Sequence, residues 1–191
     1  AFAIVAALIT PESDITLPAI GMNPQRIGLI TTLLEMGADL DITNERLEGG
    51  EPVGDIRARS SKLNGIEVPA KRAASMIDEY PILSVAASCA KGRTYMPGIA
   101  ELRVKETDRI AVMARGLEAC GVSVDEQPDS LTVDGQKQIT GGATIASQHD
   151  HRIAMSFLIL GMVSQQTISV IDTETIATSF PQFASLMNGA G

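Results

Sequence analysis

The sequence predicts an α+β protein assembled from repeated βαβαββ-like modules around one core. Three observations point there. Helix-like and strand-like segments alternate along all 191 residues. One pattern occurs twice: Val5-Ala6-Ala7 leads to Asp14-Ile15-Thr16, and Val85-Ala86-Ala87 leads to Arg93-Thr94-Tyr95. Each copy continues into a helix end, a glycine and a strand, as Leu34-Glu35-Met36-Gly37-Ala38-Asp39 and Leu117-Glu118-Ala119-Cys120-Gly121-Val122, and a half-copy runs from Phe157 to Val170. The spacing exceeds the ~20–50 residues of a solenoid repeat, so the modules should share a core rather than stack. No linker or low-complexity stretch divides the chain.

The elements follow from local signals. Ala1–Ile9 reads as a helix and Asp14–Ile20 as a strand. Asn23-Pro24 should open a helix to Met36, Asn as N-cap and Pro at the first helical position, and Gly37 should end it. Ala38–Asn44 alternates as a strand, with short strands at Asp55–Arg59 and Gly65–Val68. Tyr80–Ala90 is an apolar helix stopped by Gly92, and Arg93–Pro97 a strand. Thr107–Cys120 carries Ile110, Met113, Ala114 and Leu117 on one helical face. Val122–Glu126 and Leu131–Val133 read as a hairpin. His151–Val163 is apolar nearly all round and should lie deep in the core; Thr167–Ile171 is a strand, and Pro181–Met187 a last helix.

Composition narrows the function. Hydrophobic residues make up 45% and charged residues 20%, enough to bury a core. Lys+Arg total 15 against 23 Asp+Glu, a net charge of -8, which argues against nucleic-acid and anionic-membrane surfaces. Trp is absent and aromatics are 3%, so base-stacking platforms are not expected. Cys89 and Cys120 form no C-x-x-C and are expected as buried, reduced thiols, which fits a cytoplasmic protein. The first nine residues resemble a signal h-region without its basic start, and are read as the cut end of a longer protein.

The clearest anomaly is arginine at expected helix starts: Asn23-Pro24-Gln25-Arg26, Thr107-Asp108-Arg109 and Asp150-His151-Arg152. A cation there opposes the helix dipole by about 0.3–1 kcal/mol. It makes sense where an anion binds free N–H groups and a guanidinium together. The alternative is that each Arg bends back to a carboxylate, Asp108 and Asp150 being the candidates. Within Glu101–Arg109, alternation places Arg103 and Lys105 on one side and Leu102 and Val104 on the other. Lys105 and Arg109 beside Glu106 suit an anion grip with a proton carrier, or a solvated charged turn. Asp78 reads as an N-cap and is also placed to act as a general base. His149 and His151 are the only histidines, too few for a zinc site, and no nucleotide loop or nucleophile elbow is present.

Leu102-Arg103-Val104-Lys105-Glu106-Thr107-Asp108-Arg109 closely resembles the signature of the 5-enolpyruvylshikimate-3-phosphate (EPSP) synthase family, and Asp150-His151-Arg152-Ile153-Ala154-Met155 its second signature. Met76–Leu83 and Ile176–Pro181 resemble the class II bacterial branch, to which glyphosate-tolerant enzymes belong. The resemblance implies a two-lobed fold of βαβαββ units, helices inside and sheets outside (an inside-out α/β barrel). It implies enolpyruvyl transfer from phosphoenolpyruvate to the 5-hydroxyl of shikimate 3-phosphate in the shikimate pathway, with no cofactor and no metal. Carried onto this chain, Asp78 is the general base at the substrate hydroxyl and Glu106 the proton donor and acceptor at C3. Arg109 and Arg152 hold phosphoenolpyruvate, and Lys105 contacts shikimate 3-phosphate. Arg26 receives no role, and Thr178 stands where relatives have Lys. Residues 1–191 are then a single incomplete lobe, most of the C-terminal one, expected to be inactive without the N-terminal lobe. The full-length enzyme is expected to be monomeric. The other reading is a non-catalytic anion-binding lobe, or a complementation half that needs a separate N-terminal chain.

Overall fold

The computed structural model describes residues 1–189. The chain runs α1 (Phe2–Ile9), β1 (Asp14–Gly21), α2 (Gly28–Glu35), β2 (Asp39–Glu48) and β3 (Glu51–Arg59) as a first unit. The second is α3 (Tyr80–Ser88), β4 (Arg93–Pro97), α4 (Arg109–Ala119), β5 (Ser123–Gln127) and β6 (Ser130–Asp134). The repeat read from the sequence is a repeat of topology: the sheets are ordered β1-β3-β2 and β4-β6-β5, both antiparallel. The remaining chain centres on α5 (His151–Gly161). Two parallel pairs flank it, β7 (Ile139–Gly141) with β9 (Ser164–Gln166), and β8 (Thr144–Ala146) with β10 (Ser169–Ile171), before α6 (Glu174–Ser179) and α7 (Phe183–Gly189).

Helices lie inside and sheets outside. α1, α3 and α5 pack on one another, and every residue of α3 is buried. Its Ile82, Leu83 and Val85 are each worth about 1.5–3 kcal/mol of burial. The two buried serines of α3 solve their own polarity: Ser84 and Ser88 donate to the carbonyls of Tyr80 and Ser84, one turn back. α4 approaches α5 through Gly116, where an added Cβ would sit 2.2 Å from the Phe157 ring. Gly121, at φ +85, takes the left-handed conformation that ends α4. The outer sheet faces are charged and paired, as in Arg57–Asp14 and Arg59–Asp39.

Four expectations need correction. α2 begins at Gly28, not Asn23, because the Asn23 side chain accepts from Gln25 N–H (3.0 Å) and closes a separate turn; Arg26 therefore lies exposed in a loop, not at a helix start. Gly65–Val68 makes one isolated bridge to β4, Glu67 beside Tyr95, rather than a full strand. Ala100–Val104 is a 3₁₀ turn, so Leu102 is 2% exposed while Val104 is 81% exposed, and they do not share a face. Thr167–Ile171 is not one strand, since β9 ends at Gln166 and β10 starts at Ser169. The short strands β7 and β8 and the helix α6 carry no signal strong enough to have been read from the sequence.

Candidate active site

The starts of α3, α4 and α5 meet. Asp78 lies in a 3₁₀ turn, Ile77–Glu79, that leads into α3. It does not cap the helix: the N-cap is Glu79, without a side-chain bond. The Asp78 carboxylate turns instead to the cations of the other two helices. Arg109 is the first residue of α4, whose Asp108 caps it by accepting from Ala111 N–H (3.0 Å). Arg152 lies in the first turn of α5, capped by Asp150, which accepts from the N–H groups of Arg152 and Ile153. Two of the three arginines singled out in the sequence thus sit at helix starts.

Arg109 is the centre of the cluster, 1% exposed among carboxylates. Its Nε donates to Asp150 Oδ2 (2.7 Å), Nη1 to Asp78 Oδ1 (3.0 Å) and Nη2 to Glu106 Oε2 (2.5 Å). A buried charge is tolerable when its donors are met in this way. Burial works against the charged guanidinium and is the largest single influence, yet Asp150, Glu106 and Asp78 together outweigh it and raise the pKa of Arg109. Arg152 donates Nη1 to the Asp78 carbonyl (3.1 Å) and stands 3.8 Å from the Asp78 carboxylate and 3.6 Å from Glu79. Lys105 reaches Glu101 at 2.6 Å and Asp78 at 4.0 Å. Arg103 points elsewhere, to Asp108 and the β5–β6 hairpin, so it does not join Lys105.

The electrostatics separate two neighbouring acids. Burial would push Asp78 up, but Arg152, Arg109 and Lys105 together hold it below the ordinary carboxylate range. Glu79, one residue on, is raised by burial, which its cations only partly offset. Burial also raises both thiols, Cys89 to about 12, which leaves them unreactive. His149 contacts Glu174 at the surface, and among the described residues no three His, Cys, Asp or Glu side chains are arranged to hold a metal ion. No helix among them is long and apolar enough to cross a membrane. An apolar groove of about 620 Å³ lies between α5, α6 and α7, formed by the second half of α5 and not by its charged start.

Sequence reasoning brought together Asp78, Lys105, Glu106, Arg109 and Arg152, and these five do meet. It missed the link that joins two motifs. Asp150 was read as a cap or a partner of its neighbour Arg152, and it is also the fully buried acceptor of Arg109 from the other motif. Glu79 and Glu101, which touch Arg152 and Lys105, were not singled out.

Internal helices, external sheets and guanidinium groups at helix starts define an enolpyruvyl-transferase-like architecture. The enolpyruvyl transferase NikO of Streptomyces tendae superposes with a TM-score of 0.78 over all of this chain and 41% of its own, at 18% identity, a likeness of fold. EPSP synthase of Acinetobacter baumannii superposes at 0.96 with 46% identity, over the whole chain and 44% of its own. The 3-phosphoshikimate 1-carboxyvinyltransferases of Cereibacter sphaeroides and Rhodospirillum rubrum are 59% and 58% identical over the whole chain and 43% of their own length. The family described as EPSP synthase (3-phosphoshikimate 1-carboxyvinyltransferase) matches residues 1–187. The chain belongs to that family, and spans less than half the length of these relatives.

Proposed function

We propose that these residues form one side of the active site of a class II EPSP synthase, within its C-terminal lobe. The full-length enzyme transfers the enolpyruvyl group of phosphoenolpyruvate to the 5-hydroxyl of shikimate 3-phosphate and releases phosphate. Asp78 takes the hydroxyl proton as oxygen attacks C2, and Glu106 delivers a proton to C3. The C2–O bond to phosphate then breaks as C2=C3 re-forms: Glu106 recovers a C3 proton, and Asp78 passes the hydroxyl proton to the departing phosphate, so bonds and protons balance. Arg109 and Arg152 hold phosphoenolpyruvate, and Lys105 with Asp78 holds shikimate 3-phosphate.

The observation that carries this reading is the Arg109 environment. Asp150 is 0% exposed and fixed as a helix cap, whereas Glu106 is half exposed on a flexible stem. An entering carboxylate can take the Arg109 Nη2 edge only as Glu106 swings off it, which frees Glu106 to act as an acid. Anion binding at Arg109 and Arg152 also draws off the cations that depress Asp78 and so strengthens it as a base. The cluster holds Lys105, Arg109 and Arg152 against Asp78, Glu79, Glu101, Glu106 and Asp150, an acidic balance that supports a need for further cations from the rest of the enzyme. The chain alone is therefore expected to release no phosphate. In a full-length synthase carrying these residues, Glu106→Gln should lower kcat by about 10²-fold or more with KM values little changed, as expected for loss of a proton carrier of preserved shape. Steady-state phosphate release checks it; an unchanged kcat removes Glu106 from the chemistry.

A further inference from the structure

We infer that the tip of the β5–β6 hairpin, Gln127-Pro128-Asp129, is a bracket that positions the Lys105–Glu106 loop, with Arg103 and Asp129 as its positioning residues. The inference rests on the reading above for what the loop does, and on independent geometry for how it is held. Between β4 and α4 the chain leaves the sheet, and its backbone groups need other partners. The hairpin supplies acceptors at both ends of the 3₁₀ turn, to backbone N–H groups at the entrance and to the Arg103 guanidinium at the exit. At the entrance, Ile99 N–H donates to the Asp129 carbonyl (3.1 Å) and Ala100 N–H to Asp129 Oδ1 (2.7 Å). At the exit, Arg103 uses all three of its nitrogens. Its Nε donates to the Pro128 carbonyl (2.8 Å), Nη2 to the Gln127 carbonyl (2.6 Å), and Nη1 to Glu126 (3.0 Å) and Asp108 Oδ2 (2.8 Å).

One guanidinium thus ties the hairpin to the residue that caps α4, and the loop 104–107 spans the interval between these fixed points. Leu102 is buried beneath the turn, so it cannot roll without exposing apolar surface. The planar fork fits these acceptors in fixed directions, and an ammonium in its place cannot meet them at once. Neither Arg103 nor Asp129 touches Asp78, Glu106, Arg109 or Arg152; they act through the backbone that carries Lys105 and Glu106. Arg109 and Arg152 have a separate anchor in Asp150. The bracket should therefore govern the proton transfer and shikimate 3-phosphate contacts more than the grip on phosphoenolpyruvate.

The test uses a full-length synthase carrying these residues, with Arg103→Lys and, at the exposed hairpin tip, Asp129→Ala. Amide hydrogen exchange should quicken across residues 99–108 and stay unchanged in α1 and β1. Arg103→Lys should lower kcat about 10- to 100-fold, the scale of a small misplacement of a catalytic group, and Asp129→Ala by less. KM for phosphoenolpyruvate should stay within about twofold in both. Exchange as slow as in the unsubstituted enzyme overturns the bracket. Faster exchange with unchanged kcat overturns its positioning role, as does an equal rise in KM for both substrates. Failure of the unsubstituted enzyme to turn over counts against enolpyruvyl transfer alone, and the exchange comparison still decides whether the hairpin holds the loop.

Discussion

The two complete repeat units share helix order, strand order and the glycine that ends the second helix, yet only one contributes to the charged cluster. In the first, the connection from β1 to α2 is a short turn closed by Asn23, α2 has no side-chain cap, and Arg26 faces solvent. In the second, the connection from β4 to α4 is longer, includes a 3₁₀ turn, and ends in Asp108, a true cap. There Arg109 turns inward, because Asp150 arrives from α5 to receive it. The lesson is that the fold position is permissive. What assembles the charged cluster there is a capping carboxylate, a buried acceptor from a third element, and enough loop to bring Lys105 and Glu106 to it.

The difference can be broken at its strongest point. Arg109→Ala should strip Asp150 and Asp78 of their shared cation and cost about 3–5 kcal/mol of stability, the scale of an uncompensated buried charge. Denaturant unfolding of the full-length protein checks this, and a loss under 1 kcal/mol would show that Arg109 is not the pivot of the cluster. Asp108→Ala should cost about 1 kcal/mol or somewhat more, as caps do, and loosen the first turn of α4 by hydrogen exchange. Arg26→Ala, at the position related by the repeat, should change stability by less than about 0.5 kcal/mol and leave kinetics alone. A large effect there would mean that both units contribute to the site.

Much of the fold could be read directly. α1, α3 and α5 show as apolar runs, and Gly121 marks a helix end, because burial and backbone freedom impose themselves on local composition. The start of α2 was misread because Asn23 and Pro24 fit a helix cap and a closed turn equally well. The 3₁₀ turn at Ala100–Val104 imitates strand alternation over so few residues that periodicity cannot separate them.

By itself the sequence determined the core helices, the repeat, the family and the five side chains that meet in the charged cluster, since each is written in nearest-neighbour pattern or motif. Tertiary structure alone decided that Asp150 serves Arg109, 41 residues away, rather than its neighbour's guanidinium, and that Arg103 leaves the charged loop for a hairpin. Those choices turn on which donors and acceptors lose water together when the helices pack. A buried guanidinium takes whichever carboxylates share its dry volume, and chain order carries no record of that volume.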